Sequence, residues 1–242
     1  MKTLVVLPSY NERDNIVELI AAILDGGADR SVCVVDDSSP DGTKDVVARA
    51  IDERPGFKDR VELVVRSKKD GRGGAVREGF ARAKNAGKHF DAFVEMDCDF
   101  SHEPSAIEQG LALLDQGCDV VIGARYPNGT IIGWPASRRV FSFFANTLAR
   151  SVIEWDVADY TNGFRFYSPA AVDVLLAHDQ KHKGYIYLSE SLAHLLTAGM
   201  KVGAFPIVFK NRERGVSNTS LKEIRSALTG IFSIAVRYRL SR

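Results

Sequence analysis

The chain has 242 residues, 45% hydrophobic and 26% charged, with a formal net charge of +1. That length can bury a substantial core as one large domain or two small ones. The near-neutral balance argues neither for nor against nucleic acid, so any basic partner site must be local. No apolar stretch approaches the roughly 20 residues that span a bilayer. The three cysteines Cys33, Cys98 and Cys118 suit buried thiols in a reducing compartment better than a disulfide framework.

In chain order, β-rich runs occur at Thr3 to Leu7, Ser31 to Val35, Val61 to Val65, Ala92 to Met96 and Asp119 to Ile122. The first leads directly into a polar turn and reads as a strand, not a signal peptide. Segments of helical period separate the runs: Ile16, Leu19, Ile20, Ile23 and Leu24 share one face, and Ile107, Leu111 and Leu114 another. The alternation predicts an α/β fold, a mainly parallel central sheet with helices on both faces. Ligands of such folds gather at the carboxyl ends of the strands.

Each of these strands leads into a polar or glycine-rich segment: PSYNE (Pro8 to Glu12), DDSSPDGT (Asp36 to Thr43), SKKDGRGGAVREG (Ser67 to Gly79), DCDFSHEP (Asp97 to Pro104) and GARY (Gly123 to Tyr126). Polar loops and helix caps account for some of these residues; together they describe a rim. The glycine loop lacks a third glycine where Val76 stands, and no GxxxxGK[ST] occurs, so it is neither a dinucleotide fingerprint nor a P-loop. Its glycines leave room for backbone N–H groups to approach a diphosphate. His102, His178, His182 and His194 have no zinc-site spacing.

Asp97 and Asp99 stand two apart at the end of the fourth strand, a spacing that projects both to one side. Two close carboxylates repel unless a cation sits beside them. A hard divalent ion such as Mg²⁺ binds through one or two carboxylates plus substrate phosphates, and beside a glycine loop the pair fits a metal and nucleotide-diphosphate site.

PSYNE, VVDDSSPDGT, GRGGAVREGF, EMDCDFSHEP, GARY and DYTNGFRFYS (Asp159 to Ser168), in that order and spacing, resemble the polyprenyl phosphate glycosyltransferases, relatives of dolichyl-phosphate mannose synthase in the inverting family with the GT-A fold. The resemblance runs from about Leu4 to beyond Ser217. It implies that Pro8, Tyr10, Glu12, Val35 and Asp37, with Cys98 beside them, hold the nucleotide. It also implies that Asp97 and Asp99 bind Mg²⁺ or Mn²⁺ with Ser101 at a further ligand position, that Arg125 lies near the sugar, and that Arg212 reaches the donor phosphates. Two positions depart from the family pattern: Asn218 stands where a lysine is usual and Phe143 where an arginine is usual.

The implied reaction moves a hexose from a nucleotide sugar to a polyprenyl phosphate with inversion. GDP-mannose is the favoured donor, and UDP-glucose or a UDP-N-acetylhexosamine the alternatives. A lipid phosphate is already anionic and needs no strong base; a sugar hydroxyl would need one, with Asp99 or Glu103 as candidates. A nucleotidyltransferase and a noncatalytic nucleotide-binding module are rival readings. Nucleic acid is not an expected partner.

The acceptor calls for a membrane surface. In Trp134 to Trp155, Val140, Phe141, Phe144, Leu148 and Val152 form an apolar stripe, while Arg139, Phe143, Asn146 and Arg150, with Arg138 nearby, form a second face suited to headgroups. The expected organisation is a GT-A domain over 1–219 and an amphipathic extension over 220–242 that either packs on the domain or faces a membrane or a membrane-embedded partner subunit. The expected location is peripheral, on the cytoplasmic face.

Overall fold

The structure, a computed structural model, describes residues 1–182, 184, 186–211, 230–231 and 233–238. Five strands follow the predicted runs: β1 (Thr3–Ser9), β2 (Arg30–Asp36), β3 (Val61–Val65), β4 (Ala92–Glu95) and β5 (Val120–Ala124). β6 (Thr130–Ile132), β7 (Arg165–Tyr167), β8 (Val202–Pro206) and β9 (Val208–Lys210) complete the set. The main sheet has seven strands in the order β3-β2-β1-β4-β7-β5-β8, and β6 pairs with β9 in a separate ribbon. β7 is antiparallel to both β4 and β5, whereas the other pairings of the main sheet are parallel.

Alternation along the strands builds two cores. Leu4, Val6, Cys33, Val35 and Phe93 point to one face, and Val5, Leu7, Val32, Val34 and Val94 to the other. The second face is covered by α1 (Ile16–Asp25), α2 (Thr43–Glu53) and α4 (Ile107–Asp115). The first is covered by α3 (Arg72–Asn85), α5 (Ala136–Val152), α6 (Pro169–Ala177) and α7 (Tyr187–Thr197). Every predicted face residue of α1 is buried, as are Ile107, Leu111 and Leu114 of α4.

One expectation changes here, and one open alternative is narrowed. α5 buries Ala145, Asn146 and Ala149, while Val140, Phe143 and Phe144 are 55%, 51% and 66% exposed. The apolar stripe therefore points partly outward, and Asn146 does not belong to the open face. Residues 230–231 and 233–238 are helical; Ile231, Ile234, Ala235 and Tyr238 join the α7-side core, and the Tyr238 hydroxyl donates to Glu154 at 3.2 Å. For these residues the apolar face packs on the body of the protein. The rest of 220–242, and Arg212, lie outside the described residues.

Candidate active site

The carboxyl end of β2 carries two aspartates with separate duties. Asp36 accepts hydrogen bonds from Ser9 Oγ at 3.1 Å and Ser39 N at 2.9 Å, which ties the β1 and β2 turns together. Asp37 accepts from Arg66 Nη1 at 2.6 Å and from the backbone N–H groups of Asp70 and Gly71 at 3.2 and 2.9 Å. Oδ2 thus clamps the glycine loop, while Oδ1 holds Arg66 just after β3. Val35 is fully buried against the α3 side of the sheet and presents no side chain to a ligand.

The glycines of the loop serve packing. A Cβ on Gly73 would lie 2.1 Å from Gln180 Nε2 and 2.6 Å from Tyr187 Cγ, so those side chains cover the start of α3. Gly71 has φ 84, the left-handed region that glycine tolerates best. Around the β1 turn, Pro8, Tyr10 and Glu12 are half-buried, and Lys69 Nζ lies 3.5 Å from the centre of the Tyr10 ring. Cys98 sits on the core side, its Sγ donating to the Pro8 carbonyl at 3.4 Å; it joins the two loops rather than facing a ligand.

β4 ends at Glu95, so the alternation that would aim Asp97 and Asp99 together stops short of them. It is Glu95 and Asp97 that meet one cation. Arg72, the first residue of α3, bonds Asp97 Oδ1 through Nη1, and its Nη2 lies 2.8 Å from the Gly163 carbonyl and 3.5 Å from Glu95 Oε2. Glu95 is fully buried and accepts from the Tyr167 hydroxyl at 2.7 Å. Burial pushes its carboxyl up, against the pull of Arg72 and Arg165.

Asp99 borders a groove of about 930 Å³ between α1 and the short helical turn at Pro104–Ala106, whose walls include Asn15, Arg30, Glu103 and Lys210. Its Oδ1 accepts from Ser101 N at 3.1 Å. Ser101 Oγ is buried with no hydrogen-bond partner among the described residues. An orphaned hydroxyl on the residue that bonds the Asp99 carboxylate adds a hard oxygen donor of the kind Mg²⁺ and Mn²⁺ prefer. No group of three or more His, Cys, Asp or Glu side chains converges as a metal cage among the described residues. A divalent ion here would share its coordination with substrate oxygens.

Behind the carboxylates lies a buried polar relay, in which sequence reasoning named Arg125 but gave no role to His102, Asp159 or Asn162. His102 Nδ1 accepts from Asp97 N at 3.3 Å, which leaves Nε2–H to donate to Asn162 Oδ1 at 3.0 Å. Burial pushes the imidazole below its ordinary value, and it stacks on Phe164 with centroids 5.0 Å apart. Asn162 Nδ2 donates to the Gly123 carbonyl, and its own N–H reaches Asp159 Oδ1 at 3.1 Å. Asp159 holds Arg125 through Nε at 2.9 Å and Nη2 at 3.0 Å. Arg125 is only 5% exposed, so the expected sugar-side cation is instead a buried tie between β5 and the DYTNGF segment. That segment's run of Asp, Thr, Asn and Gly was the available signal.

Of the outer face, Arg139 donates to the Ile131 carbonyl at 2.6 Å, and Arg150 holds the Trp155 carbonyl at 2.8 Å. Arg138 lies 4.0 Å over the Trp134 ring. Phe143 meets Tyr126 edge to face at 5.7 Å. Asn146 turns inward, donating to the Ala158 carbonyl at 2.9 Å and accepting from Tyr160 N at 2.8 Å.

The family model described as glycosyl transferase family 2 matches residues 4–176. The chain belongs to that family. This glycosyltransferase is 35% identical over 242 residues to the polyprenol monophosphomannose synthase of Mycolicibacterium smegmatis, covering 100% of this chain and 89% of the relative. It is 31% identical over 241 residues to the undecaprenyl-phosphate mannosyltransferase of Micrococcus luteus, covering 98% and 96%. Its fold matches glucosyl-3-phosphoglycerate synthase from Mycobacterium tuberculosis, solved with Mn²⁺, UDP-glucose and phosphoglyceric acid, at a TM-score of 0.67 and 20% identity over 97% of this chain and 79% of that one. Another structure of that synthase holds Mg²⁺ and UDP. The fold of this glycosyltransferase is therefore the GT-A fold.

Proposed function

We propose that the chain transfers mannose from a nucleotide-activated donor, GDP-mannose by preference, to a polyprenyl phosphate at a membrane surface. The observation that carries this reading is full-length similarity to two lipid-phosphate mannosyl enzymes in a chain with Asp97, Asp99 and Ser101 in the segment that follows β4. Asp97, Asp99 and the Ser101 hydroxyl would hold Mg²⁺ or Mn²⁺. Bound there, the ion supplies positive charge to the departing nucleoside diphosphate.

The chain's own residues do the remainder. Pro8, Tyr10 and Glu12 bound the nucleotide side, and the Asp37 clamp fixes the glycine loop against it. The buried relay from His102 to Arg125 holds the floor rigid, so that donor and acceptor meet in one orientation. A lipid phosphate oxygen is already anionic at neutral pH and attacks without a strong base. A single displacement at the anomeric carbon inverts its configuration. No helix among the described residues is long and apolar enough to cross a membrane. The exposed Val140, Phe143 and Phe144 of α5, flanked by Arg139, form an interfacial face for reaching the lipid.

The test is transfer of labelled sugar into an organic-extractable product from a panel of GDP- and UDP-sugars, with polyprenyl phosphate and Mg²⁺ or Mn²⁺. Lipid-linked mannose from GDP-mannose is expected. Metal-dependent nucleotide binding without lipid product from any donor would overturn the acceptor assignment.

A further inference from the structure

We infer that Arg72 is an internal stand-in for the divalent cation: its guanidinium holds the Asp97 carboxylate and must yield that carboxylate when the metal binds. The inference rests on the reading of Asp97 as a ligand to that ion.

The seat of this guanidinium is built. Nη2 is anchored on the Gly163 carbonyl at 2.8 Å, and a Cβ at Gly163 would lie 2.5 Å from Nη2 and 2.7 Å from Cζ, so a glycine is what leaves room for it. Glu95, fully buried, faces the same nitrogen at 3.5 Å. Nη1 is the arm that reaches Asp97 Oδ1. Arg72 is 13% exposed and Asp97 31% exposed, so the pair is screened less than one on open surface.

The buried Arg165 also acts on Glu95, so Glu95 keeps a cationic neighbour whether or not Arg72 stays on Asp97. A cation arriving at Asp97 meets a carboxylate whose charge Arg72 has partly neutralised, and must break the Nη1 contact to gain full coordination. Arg72 keeps its other anchors, Gly163 O and Glu95, so it yields Asp97 without leaving the site. The released N–H then faces a site that receives an anionic diphosphate.

The position of Arg72 in the chain extends the coupling. The two peptide groups immediately before it, Asp70 and Gly71, are those clamped by Asp37, and α3 begins at Arg72 itself. Metal occupancy at Asp97 is thereby linked to the loop that borders the nucleotide. Weak metal binding to the empty protein and tight binding in the presence of donor are the expected behaviour, because donor phosphates add ligands that offset the lost ion pair.

The experiment is Mn²⁺ titration of the nucleotide-free full chain, read as the loss of the free-Mn²⁺ electron paramagnetic resonance signal. Arg72→Gln retains an N–H for the Gly163 carbonyl and removes the charge; Arg72→Lys retains the charge and loses the forked geometry. Circular dichroism checks that each is folded. Lys69→Ala removes a neighbouring cation that lies over Tyr10 rather than on Asp97.

The expected result is that Arg72→Gln binds Mn²⁺ about five- to tenfold tighter than the wild type. Arg72→Lys should fall between the two, and Lys69→Ala within about twofold of wild type. Arg72→Gln binding no tighter than wild type overturns the inference while leaving the metal site intact. So does equal tightening by Lys69→Ala, which would mean a general field and not a placeholder. Failure of every variant and the wild type to bind Mn²⁺ even after GDP and UDP are added overturns the assignment of Asp97 and Asp99 themselves.

Discussion

Arg125 and Asp159 form a bidentate ion pair sealed from solvent: Nε and Nη2 meet the two carboxylate oxygens at 2.9 and 3.0 Å, and Asp159 is fully buried. Burial alone would push the Asp159 carboxyl up. The Arg125 charge and hydrogen bonds, with the Thr161 N–H, outweigh it and hold the carboxyl below its ordinary value. A depressed folded-state value gives stability that is full above the unfolded value of about 3.9 and is lost as pH falls through the folded one. Asp159→Asn leaves a buried guanidinium without its counter-charge and should cost roughly 3–5 kcal/mol. Urea midpoints between pH 3 and 7 test this: the variant should be weaker throughout and its midpoint flatter in the acid limb. Equal midpoints near neutrality would refute the role given to this pair.

Asn146 was expected to face the acceptor and instead spends both ends of its amide on the chain just before and after Asp159. Asn146→Ala strands the Tyr160 N–H and the Ala158 carbonyl, at a cost of about 1–3 kcal/mol. The affinity for lipid acceptor, read as KM, should stay within about twofold of wild type, because Asn146 is buried among protein partners. A raised KM with unchanged stability would restore Asn146 to the acceptor face.

The sequence carried the architecture where strands are long. β1, β2 and β3 have runs of β-branched residues whose alternation sorts cleanly into two cores. β6, β7 and β9 have three residues each, too few to show a period, and none of them is among the predicted runs. The site was legible as a set of strand ends, since the polar runs do come directly after β1 to β5. Its wiring was not: Arg72 reaches Asp97 from 25 residues away and Arg125 reaches Asp159 from 34, and no local pattern encodes such pairs. In α5 the apolar period marks one face by hydrophobicity alone, but packing on the body of the protein selects by size. The small side chains of Ala145 and Ala149 pack inward there, and the rings of Phe143 and Phe144 stay outside.

The thiols give an independent check on packing. Cys33 is 2% exposed and Cys98 3% exposed, and burial pushes the Cys33 thiol up to about 12 and the Cys98 thiol up as well. Thiolate is the reactive form, so both should resist an aromatic disulfide reagent at pH 8 in the folded protein. Cys118 is half-buried and should react alone. Titration in guanidinium should release all three. Rapid native reaction of Cys98 would show that the Pro8 and Asp97 loops are not joined as described.

Metal dependence should track Asp97 and Asp99 without tracking stability. Asp97→Asn and Asp99→Asn should each lower transfer by at least about a hundredfold, the scale of losing one electrostatic stabiliser of the departing charge. Melting temperatures should change little, because removing one of several close carboxylates relieves repulsion as it loses an ion pair. Retention of metal-stimulated transfer in both variants would move the site elsewhere.

The proposed function assigns the lipid contact to the outer face of α5. Phe143 and Phe144 are more than half exposed, and a large aromatic left in water gains roughly 1.5–3 kcal/mol on full burial. Arg139 stands on the same helix, and a basic side chain near an anionic surface adds about 1 kcal/mol. Phe143→Ser with Phe144→Ser should therefore reduce co-sedimentation with anionic vesicles by about tenfold or more per ring, on the order of the burial lost. Folding stability should move by about 0.5 kcal/mol or less, as for surface positions generally. Soluble assays separate the steps: with a short-chain, water-soluble polyprenyl phosphate the double variant should transfer sugar at near wild-type rates, and with long-chain acceptor in vesicles it should fail. If the variant sediments with vesicles as the wild type does, the rings are not the membrane contact, and the role of α5 reduces to packing through Ala145 and Ala149 and to the Asn146 hydrogen bonds.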